Sequence, residues 1–252
     1  MRTCVVTGSA SGIGAATADR LRGAGHRVVG VDLHDADVTA DLSDLAGRTA
    51  MVDAIADATG GVVDAVVACA GVMAEAPIAI SVNYFGAVAT LDGLRPLLAR
   101  SDAPRAVTVS SIASLMASDP ATVEACLAGD EEAACRHIAA APTIAYMTSK
   151  AALARWVRRT APTPEWAGEG IPLNAIAPGT VETPMTAELL SAPGGLEMTD
   201  TAVPMPCNGH ARAQDLAPLL EFLVSPDNSH VTGQVVFIDG GAEAITRGDG
   251  IW

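Results

Sequence analysis

The segment Thr7-Gly8-Ser9-Ala10-Ser11-Gly12-Ile13-Gly14 constrains this chain most, because it joins an apolar run, Cys4-Val5-Val6, to a helix-patterned stretch from Ile13 to Ala24. Turning from strand to helix in so few residues needs backbone freedom. Glycine lacks Cβ, so it takes positive φ and lets a bulky group approach the main chain. The following helix offers free N–H groups and a partial positive charge, which suits a pyrophosphate. The spacing G-x-x-x-G-x-G differs from the G-x-G-x-x-G fingerprint of dinucleotide sites, and glycine-rich turns also serve ordinary strand-to-helix connections. Residues downstream decide between the two.

Ile13, Thr17, Leu21 and Ala24 recur at helical spacing, with Gly25 as a stop. Arg27 to Val31 reads as a buried strand ending at Asp32, which lies 18 residues beyond Gly14. That is close to the ~20 expected for the acid that bonds an adenosine ribose. A carboxylate there repels a 2′-phosphate, and no Arg or Lys lies between Val28 and Arg48 to reverse this, so the expected cofactor is NAD rather than NADP. A surface aspartate at a strand end is the plain alternative.

Farther on, Ala36 to Leu42 could form a short third strand, and Ser43 would cap a helix to about Ala58. Val62 to Cys69 reads as a buried parallel strand with Ala70-Gly71 at its carboxyl edge. Ala79 to Ala99 is helical and holds Asn83, an amide costly to bury unpaired. A satisfied core amide is the bland reading of Asn83. Arg105 to Val109 is another strand, ending in Ser110-Ser111, and the alanine-rich stretch from Ser118 to Pro142 looks helical. Tyr146 and Lys150, at i and i+4, share one face of a helix reaching about Thr160. Ile171 to Ala177 is a strand closing in Pro178-Gly179-Thr180-Val181-Glu182-Thr183-Pro184. Met185 to Gly209 shows little periodicity and reads as a mobile loop over a site; Asp215 to Leu223 is expected as the last helix and Gln234 to Ile238 as the last strand. The expected fold is α/β, a Rossmann-like doubly wound parallel sheet of about seven strands in a single domain, 1–252.

The chain has 252 residues, 50% of them apolar, with a formal charge of −14. That is enough to bury one full core, and it argues against nucleic acid or anionic membrane as partner. Apolar runs fall well short of the ~20 residues of a membrane span. The first residues carry no basic-then-apolar leader, so a secretory signal is not expected. Five cysteines without a C-x-x-C pair, and five scattered histidines, predict free thiols in a cytoplasmic protein and no metal site.

Taken together, T-G-x-x-x-G-I-G, Asp32, Asp41-Leu42, Ala70-Gly71, Asn83, Ser110-Ser111, Y-x-x-x-K and P-G-x-V-x-T-P make the chain resemble the classical short-chain dehydrogenase/reductase family over about residues 2 to 241. Two departures stand out. The family's Asn-Asn-Ala-Gly is Ala68-Cys69-Ala70-Gly71 here, and 34 residues separate Ser111 from Tyr146, more than the family commonly has. That insertion, about 118–142, together with Ser81-Val82-Asn83-Tyr84-Phe85-Gly86 and the wording of Val31 to Val38, is similar to the bacterial 3α-hydroxysteroid dehydrogenase/carbonyl reductase branch.

The resemblance implies an NAD-dependent oxidoreductase acting on a secondary alcohol or ketone, including a 3α-hydroxysteroid or another bulky apolar carbonyl. A non-catalytic NAD(H)-binding regulatory or structural protein is the alternative. Tyr146 would be the acid/base, and bringing a phenol of pKa ~10 to working pH asks for roughly 4 kcal/mol, which Lys150 and the nicotinamide charge would supply. Ser111 would hold the substrate oxygen and Asn83 a water-mediated proton relay behind Lys150. The cofactor would meet Gly8, Ser9, Gly12, Ile13 and Gly14 at its pyrophosphate, Asp32 at its ribose and Asp41 and Leu42 at its adenine. Ala70, Gly71, Tyr146, Lys150, Pro178, Gly179, Val181 and Thr183 would surround its nicotinamide half. Substrate would contact Ser111, Met116, Tyr146, Met185 and Leu189, with Met73, Leu115 and Met205 as further apolar candidates, and a substrate loop is expected at about 185–213. A homo-oligomer is expected, and the insertion, lying before the Tyr146 helix that many family members use for pairing, favours a dimer over a tetramer.

Overall fold

A computed structural model describes residues 1–74 and 76–250; the last two residues of the expected 1–252 domain lie outside the described residues. Among the described residues nine strands run in chain order: β1 (Thr3–Thr7), β2 (Arg27–Asp32), β3 (Val38–Thr39), β4 (Ala65–Ala68), β5 (Arg105–Val109), β6 (Leu173–Pro178), β7 (Val181–Glu182), β8 (Ala211–Arg212) and β9 (Val235–Ile238). Seven of them make one wholly parallel sheet in the order β3-β2-β1-β4-β5-β6-β9, and β7 pairs with β8 in a small second sheet. This is the expected doubly wound α/β architecture. The chain reverses direction across the sheet between β1 and β4, which opens a crevice at the carboxyl ends of those strands.

Strands buried on both faces appear as unbroken apolar runs. Val5 of β1 and Val66 of β4 face one core with Met51, Ile55, Leu91 and Leu94. Their neighbours Cys4, Val6, Ala65 and Val67 face the other with Leu21, Leu216 and Leu220. Helices α1 (Gly12–Gly23), α2 (Leu45–Thr59), α3 (Ile78–Ile80) and α4 (Ala87–Leu98) follow the first strands. A π-helical turn, Ser81–Gly86, joins α3 to α4, so the single long helix expected over 79–99 is interrupted at Asn83. Then come α5 (Pro120–Leu127), α6 (Glu131–Ile138), α7 (Ala145–Thr160), α8 (Pro184–Ser191), α9 (Gly195–Ala202), α10 (Ala213–Val224) and α11 (Ala242–Arg247).

Several expectations need correction. The cap of α2 is Asp44, whose carboxylate accepts from the Gly47 N–H at 2.7 Å, while Ser43 lies one residue outside. The third strand shrinks to Val38–Thr39. The stretch read as a mobile loop, within the substrate loop of about 185–213, instead folds into α8 and α9, where the capping box of Thr183 and Thr186 starts the first helix. The helix over 215–223 is followed by α11, so it is not the last. No helix among the described residues is long and apolar enough to cross a membrane.

Candidate active site

A cleft of about 300 Å³ opens along the carboxyl ends of β1, β2, β4, β5 and β6. Its floor is the glycine turn. Gly8 has φ +71° and donates its N–H to the Val31 carbonyl at 2.8 Å. A Cβ on Gly14 would stand 2.0 Å from the Gly8 carbonyl oxygen, so no side chain fits at that bend. Thr7, buried at the end of β1, accepts from the N–H groups of Cys69 and Ala70 at 3.1 and 3.0 Å, and this fixes the β4 edge beside the turn. Its threonine-glycine pair gave no sequence signal for that bracing role. At the end of β2, Asp32 accepts from the Ala10 N–H at 2.9 Å and the Leu33 N–H at 2.7 Å, so its carboxylate is fixed at the rim. Asp41 and Leu42 follow along the wall, and bonds from Ser43 hold the Asp41 carboxyl below its usual range.

Deeper in, the i,i+4 spacing of Tyr146 and Lys150 brings both to the cleft from α7. Lys150 is buried, and its Nζ donates to the Val109 carbonyl at 2.7 Å; burial pulls its pKa down to about 8. The ammonium lies 5.7 Å from the centre of the Tyr146 ring. Burial pushes the Tyr146 phenol above its ordinary value, and a hydrogen bond with Ser111 opposes this. Ser111 is buried at the end of β5, where its Oγ also accepts from the Ala113 N–H at 3.1 Å. Ser110 instead donates to the Lys150 carbonyl at 3.0 Å and anchors α7 from below.

Asn83 is fully buried and its amide is fully engaged: Oδ1 accepts from the Val72 N–H at 2.7 Å, and Nδ2 donates to the Val72 carbonyl at 3.0 Å and to Ser149 Oγ at 3.1 Å. It does not line the cleft. A Cβ on Gly71 would lie 3.1 Å from Asn83 Oδ1 and 3.6 Å from Lys150 Nζ, so that glycine is the seam between the amide and the ammonium. Cys69, where the family has asparagine, lines the cleft with its thiol pushed up to about 12 by burial.

Of the expected cofactor residues, Gly8, Gly12, Ile13, Gly14, Asp32, Asp41, Leu42, Ala70, Gly71, Pro178, Gly179, Val181 and Thr183 line this one cleft. Ser9 stands behind it, against Gly30. Gly12 and Thr183 face each other across the narrow part, 3.5 Å from a Cβ on the glycine to the threonine methyl. Thr186, not foreseen, also lines the wall and donates to the Val181 carbonyl at 2.6 Å. The substrate candidates are scattered. Met185 lines the cleft, whereas Leu115, Met116 and Met205 pack around a small apolar cluster with Ile112, Val203 and Ala242. Leu189 lies half-buried on α8 outside the cleft lining, and Met73 is exposed. All five cysteines are free, and the described residues contain no cluster of metal-ligating side chains.

Comparison with known proteins gives the chain's family. Residues 2–123 match the family model described as short chain dehydrogenase, and residues 133–243 match one described as enoyl-(acyl carrier protein) reductase. The chain is 39% identical to a 3-alpha-hydroxysteroid dehydrogenase/carbonyl reductase from Comamonas testosteroni, with 98% of each covered. It is 32% identical to a cis-4-hydroxycyclohexanecarboxylate dehydrogenase from Sinomonas cyclohexanicum, with 97% of each covered. A crystal structure of the 3-alpha-hydroxysteroid dehydrogenase from Pseudomonas sp. B-0831, complexed with NADH, superposes with a TM-score of 0.91 at 41% identity, covering 98% of this chain and 99% of that one.

Proposed function

The chain belongs to the short-chain dehydrogenase/reductase family, and from that premise we propose that it is an NAD(H)-dependent enzyme interconverting a secondary alcohol and its ketone. The observation that carries this is the meeting of Ser111, Tyr146 and Lys150 at the deep end of the cleft that starts at the glycine turn. A non-catalytic nucleotide binder would have no need of that trio, and the relatives are named as dehydrogenases and reductases. The cleft suits a dinucleotide on its own terms. The bend admits no Cβ at Gly14 and holds Gly8 at positive φ, and Asp32 sets a fixed carboxylate where a 2′-phosphate would be repelled. That last feature supports NAD over NADP.

A bound nicotinamide supplies or accepts the hydride. The chain's own residues do the rest. Ser111 Oγ, on the cleft lining with the phenol, would hold the substrate oxygen beside it. Tyr146 gives up or takes the proton at that oxygen. Lys150, a cation below about pH 8, steadies negative charge on the phenol oxygen, and the Val109 carbonyl keeps its ammonium in place. Asn83 acts here through the wall it holds at Val72 and through Ser149, which donates to the Tyr146 carbonyl at 2.6 Å. Pro178, Gly179, Val181 and Thr183 shape the far wall of the nicotinamide end.

The substrate reading is a ring-bearing apolar alcohol, with a 3α-hydroxysteroid as the first candidate. The support is the exposed apolar side chains of Ile78 and Met185 on the cleft lining, and the names of the relatives. A compact hydroxylated alicyclic acid is the second candidate, on the 32% identical relative. A cytoplasmic homo-oligomer completes the proposal, in keeping with the free thiols. The test is NAD-linked oxidation of a panel of steroid, alicyclic and aryl secondary alcohols, followed by NADH absorbance. Turnover of 3α-hydroxysteroids is expected. Turnover of other alcohols alone would discard the steroid, and NADH binding without any turnover would discard the enzyme.

A further inference from the structure

Arg48, on the first turn of α2, is 4% exposed and gathers three separate segments of the chain. Its Nε donates to the Leu42 carbonyl at 2.7 Å, and its Nη2 donates to the carbonyls of Ser43 at 3.1 Å and Ser81 at 2.9 Å. The other edge of the guanidinium meets Glu131 of α6 in a two-pronged pair, at 2.5 and 2.8 Å. Leu42 and Ser43 belong to the cleft wall next to Asp41, and Ser81 opens the π-helical turn. Glu131 therefore reaches from the helical pair α5–α6 to the wall of the cleft through a single side chain.

We propose that Arg48 and Glu131 are positioning residues that couple α6 to the Asp41-Leu42-Ser43 wall, so that the helical pair sets the affinity of the cleft for the adenine half of the dinucleotide. The proposal rests on the reading that this cleft binds NAD(H). The chemistry favours a real coupling. A guanidinium has five donors in a rigid fork, so it can hold three carbonyls and a carboxylate at once, which an ammonium cannot. A pair buried on the arginine side is weakly screened by salt. Although burial raises the Glu131 carboxyl, bonds from Arg48 and Ser81 bring it below its ordinary range, so it stays charged at neutral pH. Without that charge the fork keeps only neutral acceptors, and the segment from Leu42 to Ser43 loses its fixed anchor to α6.

The test is direct binding of NADH and of ADP-ribose, followed by fluorescence and competition, to wild type, Glu131→Gln and Glu131→Ala. Both variants are expected to weaken NADH and ADP-ribose by the same factor, on the order of tenfold, the scale of coupling through packed networks. The KM for the alcohol and kcat at saturating NAD are expected to change less than about twofold, a split that a general loss of structure would not give. Arg48→Ala strips every anchor at once and endangers the fold. The near-isosteric Glu131→Gln, checked by circular dichroism, decides if the alanine variant fails. Equal affinity in wild type and folded variants, or a loss in kcat with affinity intact, overturns the coupling alone. A wild type that binds neither probe overturns the cofactor reading itself.

Discussion

Lys150 donates its ammonium to the main-chain carbonyl of Val109, 2.7 Å away, inside a site that holds it almost wholly from water. Burial lowers this lysine from 10.5 to about 8. Below about pH 8 the folded and unfolded chains both carry the proton, and the folded state bears the full cost of burying the charge. Between about 8 and 10.5 the unfolded chain holds more protons, so stability rises with pH through that window. Lys150→Met removes the cost. Urea unfolding at pH 7 should find it more stable by about 1–3 kcal/mol, with a flatter pH profile, while turnover drops at least about 100-fold. A variant no more stable than wild type would mean that the charge is better compensated than its surroundings suggest.

Tyr146→Phe keeps the ring and deletes the proton donor. Turnover should fall by a factor of about 1,000 or more, with the NADH dissociation constant moved less than about twofold. Ser111→Ala should lose about 100-fold in kcat, since one donor to the reacting oxygen goes. Steady-state kinetics beside NADH fluorescence titration separates the two effects; a fully active phenylalanine variant would sink the mechanism.

Asp32 accepts from Ala10 and Leu33 and leaves a carboxylate at the rim of the cleft. Replacing it by serine, with Leu33→Arg beside it, should shift the ratio of kcat/KM for NADP over NAD upward by at least about tenfold, roughly 1.4 kcal/mol. An unchanged ratio would place cofactor choice elsewhere.

Gly14 has no room for a methyl group, because its Cβ would stand 2.0 Å from the Gly8 carbonyl oxygen. Gly14→Ala should destabilise the fold by about 3 kcal/mol in denaturant unfolding and weaken NADH binding in parallel. A wild-type midpoint would show that the bend can open at little cost.

Helix α5 lies against α7, with Glu124 3.7 Å from Arg159 and 4.0 Å from Arg155. This covers one flank of the helix expected to pair subunits. Light scattering should give a dimer; a clean tetramer would contradict it.

How much of this was legible beforehand depended on how local the signal is. The strands were readable because a strand buried on both faces must be apolar throughout, and Cys4 to Val6 and Val66 to Ala68 are. The glycine turn, Asp32 and the Tyr146–Lys150 spacing were readable because each is a constraint within one turn or one loop. Thr7, Thr186 and Arg48 were not, since each acts by reaching a carbonyl or N–H that only the folded chain brings near. Helices α8 and α9 are eight residues each, too short to show a period, and α8 buries no residue fully. Leu115, Met116 and Met205 pack in one apolar cluster with Ile112, Val203 and Ala242, a grouping that only the folded chain reveals.

The paired bonds between Asn83 and Val72 have a further consequence. A side-chain amide that meets both the N–H and the C=O of one residue does the work of a neighbouring strand, at a point where β4 has already ended. The backbone leaving the sheet is thus held in shape by the protein alone. At Val72, which lines the cleft, a ligand meets main chain that the protein has already ordered, so less of its binding free energy goes into ordering that stretch.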